Sequence, residues 1–346
     1  MGSKMDKPTF ILKPFQDKKI RRNEKIPTVI FDSALNASKA IAKEIAGLIY
    51  SQKGKCVLGL PTGSTPIFVY EELIRLHKKE GLSFKNVYTF NLDEYYPIRH
   101  DTLQSYVRYM NENFFDHIDI PKRNINIPDG SLPVEMIPQF CEKYENKIKE
   151  LGGIDIQLLG IGRTGHIGFN EPGSPFDSRT RLITLDWITK MDAASDFFGE
   201  ENVPRRAITM GIGTIFQSSR IFLLAWGEGK SDIVKKAVEQ PVNELVPASY
   251  LQNHQNTIFV LDEASATGLT RRKTPWLVDD CEWNDRMVRK GVVWLCQKAK
   301  KPILKLTDRD YNDNGMSDLV AQQGPSYLIN IKVFNDLQNT ITGWPG

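Results

Sequence analysis

Between residues 28 and 265 the chain alternates short, continuously apolar runs with longer stretches in which apolar residues recur every three or four positions. The runs at 28–31, 56–60, 87–90, 154–159, 221–226 and 257–261 read as strands, since they are short and rich in branched and aromatic side chains. The stretch 34–50 carries Ile41, Ile45, Leu48 and Ile49 at the spacing of a helix with one buried face. Further helices are predicted at 67–79, near 106–115 and at 134–151. Strands apolar along their whole length, separated by helices, imply an α/β fold: a mostly parallel sheet covered on both faces. In such folds ligands sit beyond the carboxyl ends of the strands, so the residues just after each strand are the ones to search for chemistry.

The ends of the chain read differently. Residues 1–27 lack periodicity and are predicted to form an N-terminal arm, ahead of an α/β domain at 28–270. From 271 to 346 the composition shifts towards charge and Trp, and this segment reads as a helical C-terminal extension packing on or following the domain. Within it, 288–298 and 329–337 have helical spacing and 308–315 is turn-rich. No repeat or low-complexity tract is present.

Composition narrows the functional classes. The 346 residues carry 45 Lys+Arg and 42 Asp+Glu, a net charge of +3, too little to announce a nucleic-acid or membrane surface. The basic runs at 18–22 and 271–273 are short enough to be solvated surface. The longest apolar run is far below the roughly 20 residues that span a bilayer, and residues 1–5 lack the apolar segment of a signal peptide, so a cytoplasmic protein is expected. Four dispersed cysteines and five histidines show neither a Cys-x-x-Cys pair nor metal-ligand spacing. Neither a disulfide framework nor a zinc site is expected, and Cys56 reads as core.

Four strand ends carry candidate chemistry. Gly59-Leu60-Pro61-Thr62-Gly63-Ser64-Thr65-Pro66 joins a strand to a helix, offering close backbone approach, two hydroxyls and a helix N-terminus to an anion. It is neither a Walker A loop nor a dinucleotide fingerprint. Phe90-Asn91-Leu92-Asp93-Glu94-Tyr95 puts two carboxylates on extended chain, so one of them at most faces a given pocket, and a desolvated Asp there could take a proton from carbon. The glycine-dense segment from Gly160 to Gly173 presents His166 with Glu171 five residues on, a plausible acid-base pair. Lys230, after the strand at 221–226, would emerge on the same rim as the charged end of a phosphate clamp with Gly63, Ser64 and Thr65.

With these segments in this order, and with the strings at 58–66, 89–95, 113–121, 165–172 and 178–181, the sequence resembles the glucosamine-6-phosphate deaminase/isomerase family, whose relatives include the 6-phosphogluconolactonases. Asn170-Glu171-Pro172 favours the deaminase branch. The resemblance implies a Rossmann-like sheet and a cofactor-free conversion of an aminosugar phosphate, glucosamine 6-phosphate, into a ketose phosphate and ammonia. In it His166 opens the pyranose ring, Asp93 moves a proton between C2 and C1, Glu171 holds and tunes His166, and Gly63, Ser64, Thr65 and Lys230 bind the phosphate.

Three positions depart from that pattern. Thr164 stands where the deaminases have Asp, so a hydroxyl replaces a carboxylate that would favour the protonated imidazole. Asp196 stands where the family has a phosphate-binding Arg, which calls for compensation by Arg205 or Arg206 or for a different mode of binding. Ile183 replaces a Lys of the allosteric phosphate site of regulated bacterial enzymes, although Ser174 and Arg181 remain, so that activation is not expected. The alternatives to a deaminase are a related isomerase, deglycase or 6-phosphogluconolactonase-like enzyme on another sugar phosphate, and a non-catalytic sugar-phosphate-binding module. The expected partner is a small sugar phosphate, and a homo-oligomer is compatible with the sequence. The C-terminal extension resembles the continuation in longer bacterial relatives, where a deacetylase-like domain follows, and Trp344-Pro345-Gly346 reads as the start of a linker.

Overall fold

Each apolar run becomes a strand in the computed structural model, which describes residues 12, 19–52 and 54–342. The elements of the α/β unit are β1 (Thr28–Phe31), α1 (Ala34–Ser51), β2 (Cys56–Leu60), α2 (Ile67–Glu80), β3 (Val87–Asn91), β4 (Asp93–Tyr96), α3 (Tyr106–Asn113), β5 (Ile125–Asn126), α4 (Ile137–Glu150), β6 (Ile156–Gly160), β7 (Arg181–Thr184), α5 (Trp187–Ala193), β8 (Arg206–Thr209), α6 (Ile212–Phe216), β9 (Arg220–Ala225), α7 (Ser231–Glu239) and β10 (Thr257–Asp262). Seven strands form one parallel sheet in the order β1-β10-β9-β6-β2-β3-β5. The fully apolar strands are its centre: β2 and β9 are buried along their whole length.

A second, antiparallel sheet, β4-β8-β7, has no counterpart in the sequence reading. Its strands are four residues long, and Arg206-Ala207-Ile208-Thr209 has neither alternation nor a continuous apolar run, so nothing in the pattern marks it. The two sheets meet at one residue. Leu92 donates its N–H to the carbonyl of Leu60 at 3.1 Å, and its own carbonyl accepts from Met210 N–H at 2.6 Å. Asp93 and Glu94, on the far side of this link, are thereby fixed in β4 opposite Thr209 and Ile208.

The described residues divide into two compact units, residues 12 and 24–268 in the first, 19–23 and 269–342 in the second. The second unit holds α8 (Thr270–Lys273), α9 (Asp285–Ala299), α10 (Asp308–Asp313), α11 (Ser317–Gln323) and α12 (Ser326–Thr342). It has its own core, in which Trp276 packs tilted against Trp283 and edge-on against Trp294, centroids 5.6 and 5.5 Å away. The patch at 308–315 expected to be turns is largely α10, because Thr307 and Asp310 close a reciprocal capping box that starts a helix there. The proposed linker at 344–346 and most of the N-terminal arm lie outside the described residues.

Leu12 of that arm is 6% exposed and joins the main core. Its carbonyl accepts from Arg220 Nη2 at 2.6 Å and its N–H donates to Glu44 Oε1. Arg220 and Glu44 are themselves an ion pair, 3.1 Å apart, with side chains only 2% and 1% exposed. Removing one partner of such a pair strands the other charge in a dry site. Glu44→Gln is therefore expected to destabilise the protein by about 3–5 kcal/mol in denaturant unfolding.

Candidate active site

The carboxyl ends of β2, β3 and β6, adjacent in the sheet, open onto a cavity of about 230 Å³. It is lined by Pro61, Thr62, Gly63, Ser64, Thr65, Leu92, Asp93, Tyr106, Gly160, Ile161, Gly162, His166, Gly168 and Phe169. The fold thus brings together five residues expected from sequence: Gly63, Ser64, Thr65, Asp93 and His166. A larger cavity of about 600 Å³, lined by Glu145, Arg179 and Thr214 among others, has no such chemistry. One Glu145 oxygen there is already occupied by Thr180 and Thr214.

The loop after β2 is tied down through its carbonyls. Those of Pro61, Gly63 and Thr65 accept from Tyr70 Oη at 2.5 Å, Tyr109 Oη at 2.6 Å and Trp226 Nε1 at 2.9 Å. What remains to meet a ligand is N–H groups and the hydroxyls of Ser64 and Thr65, donors suited to an anion at the start of α2.

Asp93 and Glu94 turn opposite ways, as extended chain requires. Glu94 is fully buried and caps α3, accepting from Ser105 Oγ at 2.8 Å, Tyr106 N–H at 3.0 Å and Val107 N–H at 3.2 Å. Asp93 faces the cavity although it is only 6% exposed. Burial pushes its pKa up to about 8, and the neighbouring Glu94 charge adds to the rise, against one backbone N–H from Phe169. A Cβ on Gly168, whose φ is +56°, would stand 3.2 Å from Asp93 Oδ2, so this glycine keeps the approach to the carboxyl clear.

His166 sits on a tight turn in which Gly162 N–H donates to the His166 carbonyl and Gly165 N–H to the Gly162 carbonyl, both at 3.0 Å. A Cβ on Gly162 would fall 2.0 Å from His166 Nε2, so only glycine lets the backbone lie against the ring. Three oxygens surround Nδ1: Thr164 Oγ1 at 3.1 Å, Glu171 Oε2 at 3.2 Å and Thr189 Oγ1 at 3.4 Å. Because a carboxylate only accepts, this arrangement assigns the proton of the neutral ring to Nδ1 and leaves Nε2 as the acceptor. Burial opposes ionisation of Glu171, but the hydrogen bond and charge of His166, with Thr189 and Asp186 N–H, outweigh it and hold its pKa below the ordinary carboxylate value.

The other expected residues fall at different distances from the cavity. Lys230 reaches back to donate to the Ile161 carbonyl at 2.8 Å; burial lowers its pKa, while Asp192 favours its charge and Arg163 opposes it. Arg205 is exposed, and Arg206 lies over the Tyr96 ring, 5.0 Å from its centroid. Asp196 is exposed. Neither arginine nor Asp196 lines the cavity. Arg181 donates to Asn170 Oδ1 at 3.0 Å and Ser174 Oγ at 3.3 Å, and Asn170 in turn donates to the carbonyls of Ile167 and Met210, bracing the His166 loop. Tyr106 and Thr189 are site residues that the sequence reading missed. The Ser105 cap two residues before Val107 was a usable signal for the first, whereas a buried Thr on a seven-residue helix gives none for the second.

Among the described residues no His/Cys/Asp/Glu group could hold a metal ion, and no helix is long and apolar enough to cross a membrane.

The burial of Asp93 has a consequence for stability. Between its ordinary value of 3.8 and about 8 the unfolded chain has lost this proton while the folded one retains it, so stability falls as pH rises through that window. Asp93→Asn removes this slope. Thermal unfolding is expected to show the variant gaining on the wild type between about pH 4 and about pH 8, with no gain at the acid end.

Comparison with known proteins identifies the family. The family model for glucosamine-6-phosphate isomerases/6-phosphogluconolactonase matches residues 32–260. A glucosamine-6-phosphate deaminase-like protein of Bacteroides thetaiotaomicron is 50% identical over 335 residues, 96% of this chain but 50% of that protein, so the chain spans about half the length of this relative. A glucosamine-6-phosphate deaminase of Clostridium acetobutylicum is 50% identical over 230 residues, 66% of this chain and 94% of its own. The solved structure of a monomeric glucosamine-6-phosphate deaminase superposes with a TM-score of 0.67 at 42% identity, covering 70% of this chain and 99% of that one. The chain belongs to the glucosamine-6-phosphate isomerase/6-phosphogluconolactonase family.

Proposed function

We propose that the protein is an aminosugar-phosphate deaminase that converts glucosamine 6-phosphate and water into fructose 6-phosphate and ammonia, a hydrolytic reaction by its balance. The observation that carries this reading is the convergence of a buried carboxyl, Asp93, and a positioned imidazole, His166, on one cavity beside an anion-suited loop. At about 230 Å³ the cavity is smaller than the roughly 300–1,000 Å³ of drug-sized ligand sites, which suits one small metabolite.

The phosphate is held by the Gly63, Ser64 and Thr65 loop, with Lys230 supplying charge from the rim. His166 Nε2 takes the proton of the anomeric hydroxyl and returns one to the ring oxygen, opening the pyranose to the aldehyde. Glu171 stabilises the imidazolium formed between those two transfers and fixes the ring through Nδ1. Ionised Asp93 then removes the proton from C2 while O1 takes one from water, giving an enolamine, and delivers the C2 proton to C1. The resulting ketimine adds water at C2 and expels ammonia. A carboxylate with a pKa of about 8 is a far stronger base than an ordinary one, and it is already in place, which lowers the barrier of a proton transfer between adjacent carbons.

The relatives named deaminases, rather than the lactonase side of the family, favour this reading over the lactonase alternative. Incubation with glucosamine 6-phosphate is expected to yield ammonia and fructose 6-phosphate in equal amounts, with kcat/KM rising through about pH 8 as Asp93 ionises. No product at high enzyme concentration would overturn the proposal.

A second expectation concerns Thr164, whose hydroxyl lies 3.1 Å from His166 Nδ1. Thr164→Asp adds a charge beside a ring already paired with Glu171, favouring the imidazolium. Its pH optimum should shift or its rate should rise. An unchanged profile would show that the hydroxyl does not influence His166.

A further inference from the structure

A phosphate monoester at the Gly63 to Thr65 loop brings nearly two negative charges to a site whose loop offers only neutral donors. Lys230 supplies one cation. Arg205 and Arg206 supply none, since the first is exposed away from the lining and the second is stacked on Tyr96. Arg163 follows the lining residues Ile161 and Gly162 directly in the loop that carries His166 and, like Lys230, stands just outside the lining itself.

Arg163 is held by Asp192 of α5 in a two-point contact, Nη2 to Oδ1 at 2.5 Å and Nε to Oδ2 at 3.2 Å. Both side chains are about half exposed, 57% and 45%. The same two groups act on Lys230, Asp192 favouring its charge and Arg163 opposing it, while Lys230 itself donates to the Ile161 carbonyl. The guanidinium fork fits two phosphate oxygens as well as it fits two carboxylate oxygens, a dianion attracts it more strongly than Asp192 does, and an exposed ion pair is weakly held. Resting on the sugar-phosphate reading of the site, we infer that Arg163 is a second phosphate-binding cation, which leaves Asp192 for the substrate phosphate when the site fills.

The exchange would reach the catalytic pair. Asp192 is three residues from Thr189, which touches His166 Nδ1, and Asp186, the residue capping the start of α5, donates its N–H to Glu171. The helix that releases Arg163 is therefore the helix that braces His166 and Glu171.

The test is calorimetric titration of the full chain with fructose 6-phosphate, with fructose as the control lacking phosphate, for the wild type, Arg163→Ala, Arg163→Lys and Asp192→Asn. Arg163→Ala should weaken fructose 6-phosphate about tenfold or more, Arg163→Lys less, and Asp192→Asn should tighten it by about threefold, since it frees the guanidinium. A pair that merely tethers α5 would make Arg163→Ala and Asp192→Asn shift affinity in the same direction, and that result overturns the inference. So does wild-type affinity in Arg163→Ala with the thermal midpoint unchanged. A wild type that binds no fructose 6-phosphate at all overturns the sugar-phosphate reading itself, and the inference with it.

Discussion

The Asp93 carboxyl is buried at the seam between two sheets, and the rest of the site is arranged around the cost of keeping it there. A carboxylate in bulk water titrates far below neutrality and is a poor base towards carbon; out of water its charge is disfavoured and its basicity rises. The fold achieves this with a single residue of linkage, Leu92, hydrogen-bonded to β2 on one side and to Met210 on the other. Glu94, next in the chain, would be a second buried charge in the same place if it did not turn away. It is absorbed by the N-terminus of α3 instead, where backbone donors and the helix dipole accept a negative charge. One strand thus holds one carboxyl that caps a helix and one that faces the cavity, separated only by the alternation of side chains.

The imidazole is positioned by a different principle. Its Nδ1 is surrounded by oxygens of residues 164, 171 and 189, and its Nε2 lies against a glycine. Crowding on Nδ1 selects the tautomer, and the missing Cβ of Gly162 selects the ring's place. Thr164 and Thr189 are neutral partners, so most of the electrostatic support for a charged His166 falls to Glu171.

The parallel sheet was legible because its strands are apolar on both faces, and the loops at its carboxyl ends followed from that. Asp93, His166, Glu171 and the loop at Gly63 to Thr65 could be named since their residue types stand directly after strands. The second sheet was not legible: β4, β7 and β8 are too short for periodicity to register. Its absence from the reading hid how Asp93 becomes buried. The surroundings of Nδ1 were half visible, Thr164 being near in sequence and Thr189 arriving on α5 through tertiary contact alone. Charge compensation by Arg205 or Arg206 was expected because Asp196 stands where the family has a phosphate-binding Arg, but β-pairing turns Arg206 onto Tyr96, and neither arginine lines the cavity. In the C-terminal region, Asp and Asn near 308–314 suggest turns by composition, yet a capping box uses the same residues to start a helix.

The central claim is that Asp93 is a desolvated carboxyl held protonated far above the ordinary range. Its ionisation can be followed directly as the infrared carboxylate stretch in pH difference spectra of wild type minus Asp93→Asn. A midpoint near pH 8 is the predicted result, and one near 4 would contradict the account.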